Sequence, residues 1–131
     1  MNNAQPDCQM PDCRPLAGQV AVVTGSTSGI GLGIARAFAH GGAAVVLNGL
    51  GRADEIEATV AEPAQQYDVA FDYDPANLLL GESAAELVAA TIERHGRIDI
   101  LVNNAGIQHV SPIEDFPLDK WDAIQALNLS A

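Results

Sequence analysis

The chain has 131 residues, of which 48% are hydrophobic and 18% charged. This is enough for one domain with its own core, and it excludes a disordered acidic tail. The net charge of −11 would repel phosphate backbones and anionic lipid, so we expect neither nucleic acid nor membrane surfaces as partners. No apolar run approaches membrane-spanning length and no secretory signal is apparent, so a cytoplasmic location is expected.

Residues 1–17 have the composition of a disordered leader. Three prolines interrupt any helix there, namely Pro6, Pro11 and Pro15. The two cysteines, Cys8 and Cys13, are too few for a disulfide framework. They also lack the further ligands that a metal site would need, so we expect no metal.

From Gly18 the pattern changes to alternating strands and helices. Short apolar or β-branched runs predict strands at 20–24, 44–47, 69–73 and 98–102. Helices are predicted at about 29–40, 53–66 and 83–95, with a last one that carries Trp121, Ile124 and Leu127. The alternation implies parallel strands joined by crossover helices. Residues 18–131 are therefore expected to form one α/β unit.

Local signals refine two of these helices. Ile30, Ile34 and Phe38 recur at every fourth residue, which predicts the buried stripe of the first helix. Ser83 is the expected N-cap of the third helix, and Gly96 is expected to end it.

The first predicted strand runs into a glycine-rich turn, TGSTSGIG, at residues 24–31. Its glycines, Gly25, Gly29 and Gly31, stand at the start of a helix, where unpaired N–H groups and the helix dipole attract an anion. The turn contains no Lys or Arg, so a phosphate would be held by backbone donors. The spacing alone also fits a purely structural turn with close packing through Gly33.

Dinucleotide sites usually carry an acidic residue about 20 residues further on, which binds the adenine ribose. Here the second strand ends in Asn48-Gly49-Leu50-Gly51, with neither an acid nor a base at its tip. Arg52 is the only nearby cation that could meet a 2′-phosphate. These residues favour NAD over NADP.

The glycine turn together with NNAG at 103–106 resembles the short-chain dehydrogenase/reductases. NGLG at 48–51, GRIDILVNNAGIQHV at 96–110, IEDFPLDKWDAI at 113–124 and LNLSA at 127–131 are similar to bacterial D-3-hydroxybutyrate dehydrogenases. The resemblance implies a doubly wound, Rossmann-type parallel sheet, present here as its first four strands in the order 3-2-1-4. It also implies oxidation of a small hydroxy acid, (R)-3-hydroxybutyrate, to acetoacetate with NAD by a full-length homotetramer.

The resemblance also implies roles for individual residues. Those around the pyrophosphate and its ribose would be Gly25, Thr27, Gly29, Ile30 and Gly31. Leu50 would lie against the adenosine, Asn77 stands where relatives place the aspartate that accepts from the adenine amino group, and Leu78 follows it. The cofactor would be lined by the backbone of Asn104, Ala105 and Gly106.

Two further residues are implied in the chemistry. Gln108 would donate a hydrogen bond to the substrate carboxylate, since an amide orients a carboxylate without carrying a charge. Asn128 matches the asparagine of the family's Asn-Ser-Tyr-Lys tetrad. It also shares a helix face with Trp121 and Ile124, where an unpaired amide would be costly.

The tyrosine-lysine pair of the family, YxxxK, does not occur in these 131 residues. Four positions after Tyr67 and Tyr73 stand Phe71 and Asn77, and the only lysine is Lys120. We therefore expect the N-terminal portion of a dehydrogenase, inactive by itself, whose fourth strand is a free edge. The alternatives are a dehydrogenase for another 3-hydroxyacyl or sugar-alcohol substrate, and a non-catalytic nucleotide-binding module.

Overall fold

A computed structural model describes residues 13–131. The strands are β1 (Val20–Val23), β2 (Ala44–Asn48), β3 (Phe71–Asp74) and β4 (Ile100–Val102). The α-helices are α1 (Gly29–His40), α2 (Ala53–Tyr67), α3 (Gly81–His95) and α4 (Leu118–Gln125). The predicted last helix consists of α4 and a π-helical turn at Ala126–Ser130 that contains Leu127, and a separate 3-10 turn at Ile113–Asp115 lies in the loop before it.

The four strands form one parallel sheet in the order β3-β2-β1-β4, which confirms the predicted Rossmann-type arrangement. In the register, Val22 of β1 lies opposite Val46 of β2 and Leu101 of β4. All four residues of β1 are buried, because helices cover the sheet on both faces. Because the strands are parallel, the carboxyl ends of β1, β2 and β3 lie side by side at one end of the sheet.

Adjacent residues of the central strands point into two separate cores. On one face Val23, Val45 and Leu47 pack with α1 and α2. On the other face Val22 and Val46 pack with α3, in a cluster that also contains Leu78 and Leu87. This alternation follows from the two-residue period of a strand, and it makes the sheet doubly wound.

β4 is the outer strand on its side of the sheet in the described part of the chain. Its residues are only partly buried, and 52% of Leu101 is exposed. The prediction that this strand is a free apolar edge is confirmed.

The predicted stripe of α1 is wrong at Ile30, which is 79% exposed. The fully buried residues that face the sheet are Ala35 and Ala39, whereas Ile34 and Phe38 are partly buried beside them. Small side chains allow α1 to lie close to the strands. Ile30 belongs to the first turn of the helix, which begins beyond the end of β1.

The predicted cap of α3 is also wrong. The helix begins at Gly81 with Leu80 as its N-cap, and the Ser83 N–H donates to the Leu80 carbonyl at 3.0 Å. The end is as predicted, because Gly96 has φ +79° and its N–H donates to the Ile92 carbonyl at 2.8 Å.

The leader prediction falls mostly on residues 1–12, including Cys8, which lie outside the described residues, and it stays a prediction. The Leu16 N–H donates to the Gly41 carbonyl at 2.9 Å, and Arg14 donates to the Asp68 carbonyl at 3.3 Å.

Between residues 13 and 131, no helix has the length and apolar character needed to cross a membrane. The same residues hold no group of three or more His, Cys, Asp and Glu side chains that could bind a metal.

Candidate functional site

The turn between β1 and α1 requires glycine at two positions, for two different reasons. Gly25 has φ +60°, a left-handed conformation that glycine adopts without steric cost. Gly31 is limited by space, since a Cβ there would lie 2.4 Å from the Gly25 carbonyl oxygen and 2.6 Å from Asn104 Nδ2. At Gly33 nothing lies within 4 Å of an added Cβ, so the close packing considered for Gly33 occurs at Gly25 and Gly31 instead.

The N-terminus of α1 is open to an anion. Its first helical hydrogen bond runs from the Leu32 N–H to the Ser28 carbonyl at 3.3 Å, so the N–H groups of Gly29, Ile30 and Gly31 precede the helical ladder. Ser28 makes no side-chain cap, and the first turn carries no acidic residue. An added Cβ at Gly29 would meet nothing within 4 Å. Gly29 and Ile30 are exposed, whereas Gly31 is buried. The N–H groups of the first two residues are thus accessible where a phosphate could approach, with a dipole contribution of about 0.3–1 kcal/mol.

Thr24 and Asn104 fasten this turn to the loop that follows β4. The Thr24 hydroxyl oxygen accepts from the N–H groups of Asn104 and Ala105, both at 3.0 Å. The Asn104 side-chain amide donates to the carbonyls of Thr24 and Gly25 at 3.1 and 3.0 Å. The loop therefore buttresses the glycine turn. The N–H groups of Asn104 and Ala105 are used in this contact, which leaves their carbonyls for a ligand.

A cavity of about 170 Å³ opens at the carboxyl ends of β1 and β2. It brings together six residues that the resemblance assigned to the cofactor: Gly25, Leu50, Asn77, Leu78, Ala105 and Gly106. Leu50 is 69% exposed at its mouth, and Leu78 is buried. Asn77 Oδ1 accepts from the Leu79 N–H at 3.1 Å, and its second lone pair remains for another donor.

Thr27 belongs to a neighbouring cavity of about 130 Å³ between the starts of α1 and α2. Its hydroxyl donates to the Leu50 carbonyl at 3.2 Å, which holds the glycine turn against the tip of β2. Glu55 lines the same cavity. Arg52 is paired with Asp54 at 3.0 Å.

Asn128 lies in the π-helical turn and holds the loop after β4. Its Oδ1 accepts from the Ile107 N–H and its Nδ2 donates to the Ile107 carbonyl, both at 2.9 Å. The amide thus has the partners expected of it, although Asn128 itself is exposed. It also lines a cavity of about 310 Å³ beside β4, together with Leu101 and Ala105.

Gln108 directly follows the clamped Ile107 and is exposed. His109 next to it makes an edge-to-face contact with Phe116, with ring centroids 5.5 Å apart.

Reasoning from the sequence missed two polar residues that shape the strand tips. Asn48 is 1% exposed and donates through Nδ2 to two backbone carbonyls. The Tyr73 hydroxyl donates to the Gly49 carbonyl at 2.6 Å. Burial, with a smaller effect of the Asp74 carboxylate, raises the pKa of Tyr73, so its phenol is a protonated donor at neutral pH. The sequence signal that could have identified Asn48 is a polar residue at the end of an otherwise apolar strand.

Known proteins share this arrangement. The family model of the short chain dehydrogenases matches residues 19–131. The chain is 49% identical over 113 residues to a D-beta-hydroxybutyrate dehydrogenase of Rhizobium meliloti and 48% identical over 116 residues to one of Cupriavidus necator. These alignments cover 86% and 88% of the chain but 44% of each relative, so the chain spans less than half the length of either enzyme.

Solved structures agree with the sequence relatives. A short chain dehydrogenase from Burkholderia cenocepacia, crystallised in complex with NADP, superposes with a TM-score of 0.82 at 33% identity. The match covers 87% of this chain and 46% of that one. Sequence, fold and glycine turn lead to the same conclusion: the chain belongs to the short-chain dehydrogenase family.

Proposed function

We propose that this chain is the cofactor-binding portion of an oxidoreductase that converts (R)-3-hydroxybutyrate to acetoacetate with NAD. The observation that carries the proposal is the uncapped, acid-free start of α1 beside a cavity at the carboxyl ends of the strands. Ligands of open α/β sheets bind in this position. Identity near one half to two hydroxybutyrate dehydrogenases supports the substrate.

The residues divide between the parts of the dinucleotide. The pyrophosphate would accept hydrogen bonds from the N–H groups of Gly29, Ile30 and Gly31, which have no partners within the helix. The adenosine would lie in the 170 Å³ cavity, lined by Leu50, Asn77, Leu78 and others. When bound, NAD supplies the acceptor for the hydride that leaves the carbinol carbon of the substrate.

The preference for NAD over NADP rests on charge. The cavity beside Thr27 and Leu50 is lined by the carboxylate of Glu55 and by no Lys or Arg. Arg52, the nearby cation, is already paired with Asp54. A phosphate on the ribose at this position would face a negative group without a free positive partner, whereas a hydroxyl could donate to Glu55.

The role of Gln108 as the donor to the substrate carboxylate is supported by its place in the chain. Asn128 fixes the backbone of Ile107 through two hydrogen bonds. The residue that precedes Gln108 is therefore fixed in place, which restricts where the Gln108 side chain can lie. Asn128 is proposed as the member of the catalytic tetrad that this chain contains, acting here as a clamp on the loop.

The 131 residues alone are proposed to bind the cofactor without turnover. Tyr67 and Tyr73 have no lysine four positions later, and the hydroxyl of Tyr73 is committed to Gly49. The base and its activating lysine would have to come from other residues of a complete enzyme. We propose that the complete enzyme is a cytoplasmic homotetramer acting on a small hydroxy acid.

The test is calorimetric titration of the purified chain with NAD and NADP, followed by an assay for NADH in the presence of (R)-3-hydroxybutyrate. We expect saturable NAD binding, weaker NADP binding and no NADH.

Glu55→Gln should strengthen NADP binding, and Glu57→Gln, an exposed carboxylate of the same helix that does not line this cavity, is the matched control. Absence of any NAD binding would refute the cofactor site, and NADH formation would refute the claim of inactivity. In a completed enzyme, an unchanged response to hydroxybutyrate after Gln108→Ala would favour another substrate class.

A further inference from the structure

The last residue of β2, Asn48, connects three segments of the candidate site through a side chain that is almost entirely buried. Its Nδ2 group donates to the Asp74 carbonyl at 3.2 Å and to the Ala76 carbonyl at 2.9 Å. An amide nitrogen has two hydrogens, and both are used here. The two carbonyls belong to the end of β3 and the loop after it, the segment that carries Asn77 and Leu78.

The backbone of Asn48 is tied to the glycine turn on its other side. The Ser26 N–H donates to the Asn48 carbonyl at 2.8 Å, and the Asn48 N–H donates to Ser26 Oγ at 3.0 Å. Ser26 is fully buried, and its hydroxyl donates to the Val23 carbonyl at 2.5 Å. Because β2 lies between β1 and β3 in the sheet, Asn48 at the tip of β2 reaches the segments that follow both neighbouring strands.

We propose that Asn48 is a positioning residue that sets the width of the adenosine subsite. The inference rests on the proposed function. Asn48 itself lines the 170 Å³ cavity, with Gly25 on the side of the turn and Ala76, Asn77 and Leu78 on the side of the loop. Removing the two donors frees the loop after β3. The N–H groups at the start of α1 should keep their positions, because Thr24 and Asn104 fasten the turn that precedes them to the loop after β4.

Because Asn48 holds the loop after β3 and not the start of α1, its removal should weaken the binding of the adenosine half of the ligand and spare the pyrophosphate half. AMP carries the adenosine and one phosphate, whereas inorganic pyrophosphate probes the glycine turn alone. Asn48→Ala removes both hydrogen bonds to the loop, and we expect part of their contribution to be lost in binding, which weakens AMP and NAD by about tenfold. Pyrophosphate binding should change by less than about twofold.

Thr91→Val is the matched control for a general loss of stability. Thr91 is buried, and its hydroxyl donates to the Leu87 carbonyl at 2.8 Å within α3, away from the cavity. This variant should lose stability without a specific loss of AMP affinity.

Amide hydrogen exchange gives a readout that does not depend on any ligand. The Leu79 N–H donates to Asn77 Oδ1 at 3.1 Å and the Leu80 N–H to the Asn77 carbonyl at 3.0 Å. Both amides should exchange faster in Asn48→Ala than in Thr91→Val, while Leu32 in α1 should exchange equally in the two variants.

The outcomes separate the inference from the function on which it rests. Selective loss of AMP and NAD, with faster exchange at Leu79 and Leu80, supports the role of Asn48. Equal losses of AMP and pyrophosphate, or unchanged exchange in the loop, overturn it even if NAD binds well to the unaltered chain. If the unaltered chain binds neither AMP nor NAD, the proposed function itself fails and the inference falls with it.

Discussion

Two glycines two residues apart on α1 allow a sharp test of the phosphate-binding turn. At Gly31, the Cβ of an alanine would lie 2.4 Å from the Gly25 carbonyl oxygen, about 1 Å inside ordinary van der Waals contact. It would also lie 2.6 Å from the Asn104 amide that ties the turn to the loop after β4. At Gly33 nothing lies within 4 Å, so Gly33→Ala is a control on the same helix.

The two substitutions should change the free energy of unfolding in opposite directions. Overpacking costs about 1–3 kcal/mol, so Gly31→Ala should lower the free energy of unfolding by that amount. Gly33→Ala should raise it by up to about 1 kcal/mol, because alanine is the better helix former. Urea denaturation should therefore separate the two variants by about 1–4 kcal/mol.

The affinity for NAD should also differ between Gly31→Ala and Gly33→Ala. Gly31→Ala displaces the Gly25 carbonyl and so the turn that positions the N–H donors, and we expect NAD affinity to fall by at least about tenfold. Gly33→Ala should bind NAD like the unaltered chain. Equal stability and equal NAD affinity in the two variants would contradict the packing argument and the location of the pyrophosphate.

Three further changes test other parts of the structure. Thr24→Val removes the acceptor of two backbone N–H groups and should cost about 2 kcal/mol or more in urea denaturation, whereas Thr59→Val, which removes a bond to the Glu55 carbonyl within α2, should cost little. Hydrogen bonds from the Arg97 guanidinium and, second, from a backbone N–H lower the pKa of Asp99. Its contribution to stability is therefore present above pH of about 4, the unfolded pKa, and is lost as pH falls through the lower folded value. The stability gap between Asp99→Asn and the unaltered chain should accordingly narrow on acidification, and a gap that is constant with pH would contradict this. Leu101→Lys places a charge on the exposed strand edge and should reduce self-association in light scattering; unchanged association would show that this edge does not mediate it.

The order of strands and helices could be predicted from the sequence, because each element has a strong local signal. Val20–Val23 is a β-branched run that ends in glycine, and α1 follows at the predicted residue. The glycine turn together with NNAG carried the resemblance to the family, and the glycines of the turn suit a backbone that must approach a phosphate closely. Element ends were less certain, because a cap depends on one residue, and Leu80 takes that position where Ser83 was expected.

The partners of the polar residues at the strand tips were decided by the tertiary structure alone. Asn48 and Ala76 are 28 positions apart in the chain, and Thr24 and Asn104 are 80 apart. Their contacts exist only because parallel strands bring their carboxyl ends to one edge of the sheet. The burial of Ala35 and the exposure of Ile30 are also tertiary effects. The close approach of α1 to the sheet selects small residues, Ile30 lies beyond the end of β1, and helical periodicity reports neither fact. Local patterns thus specify which segments form, whereas long-range packing specifies which side chains of those segments meet.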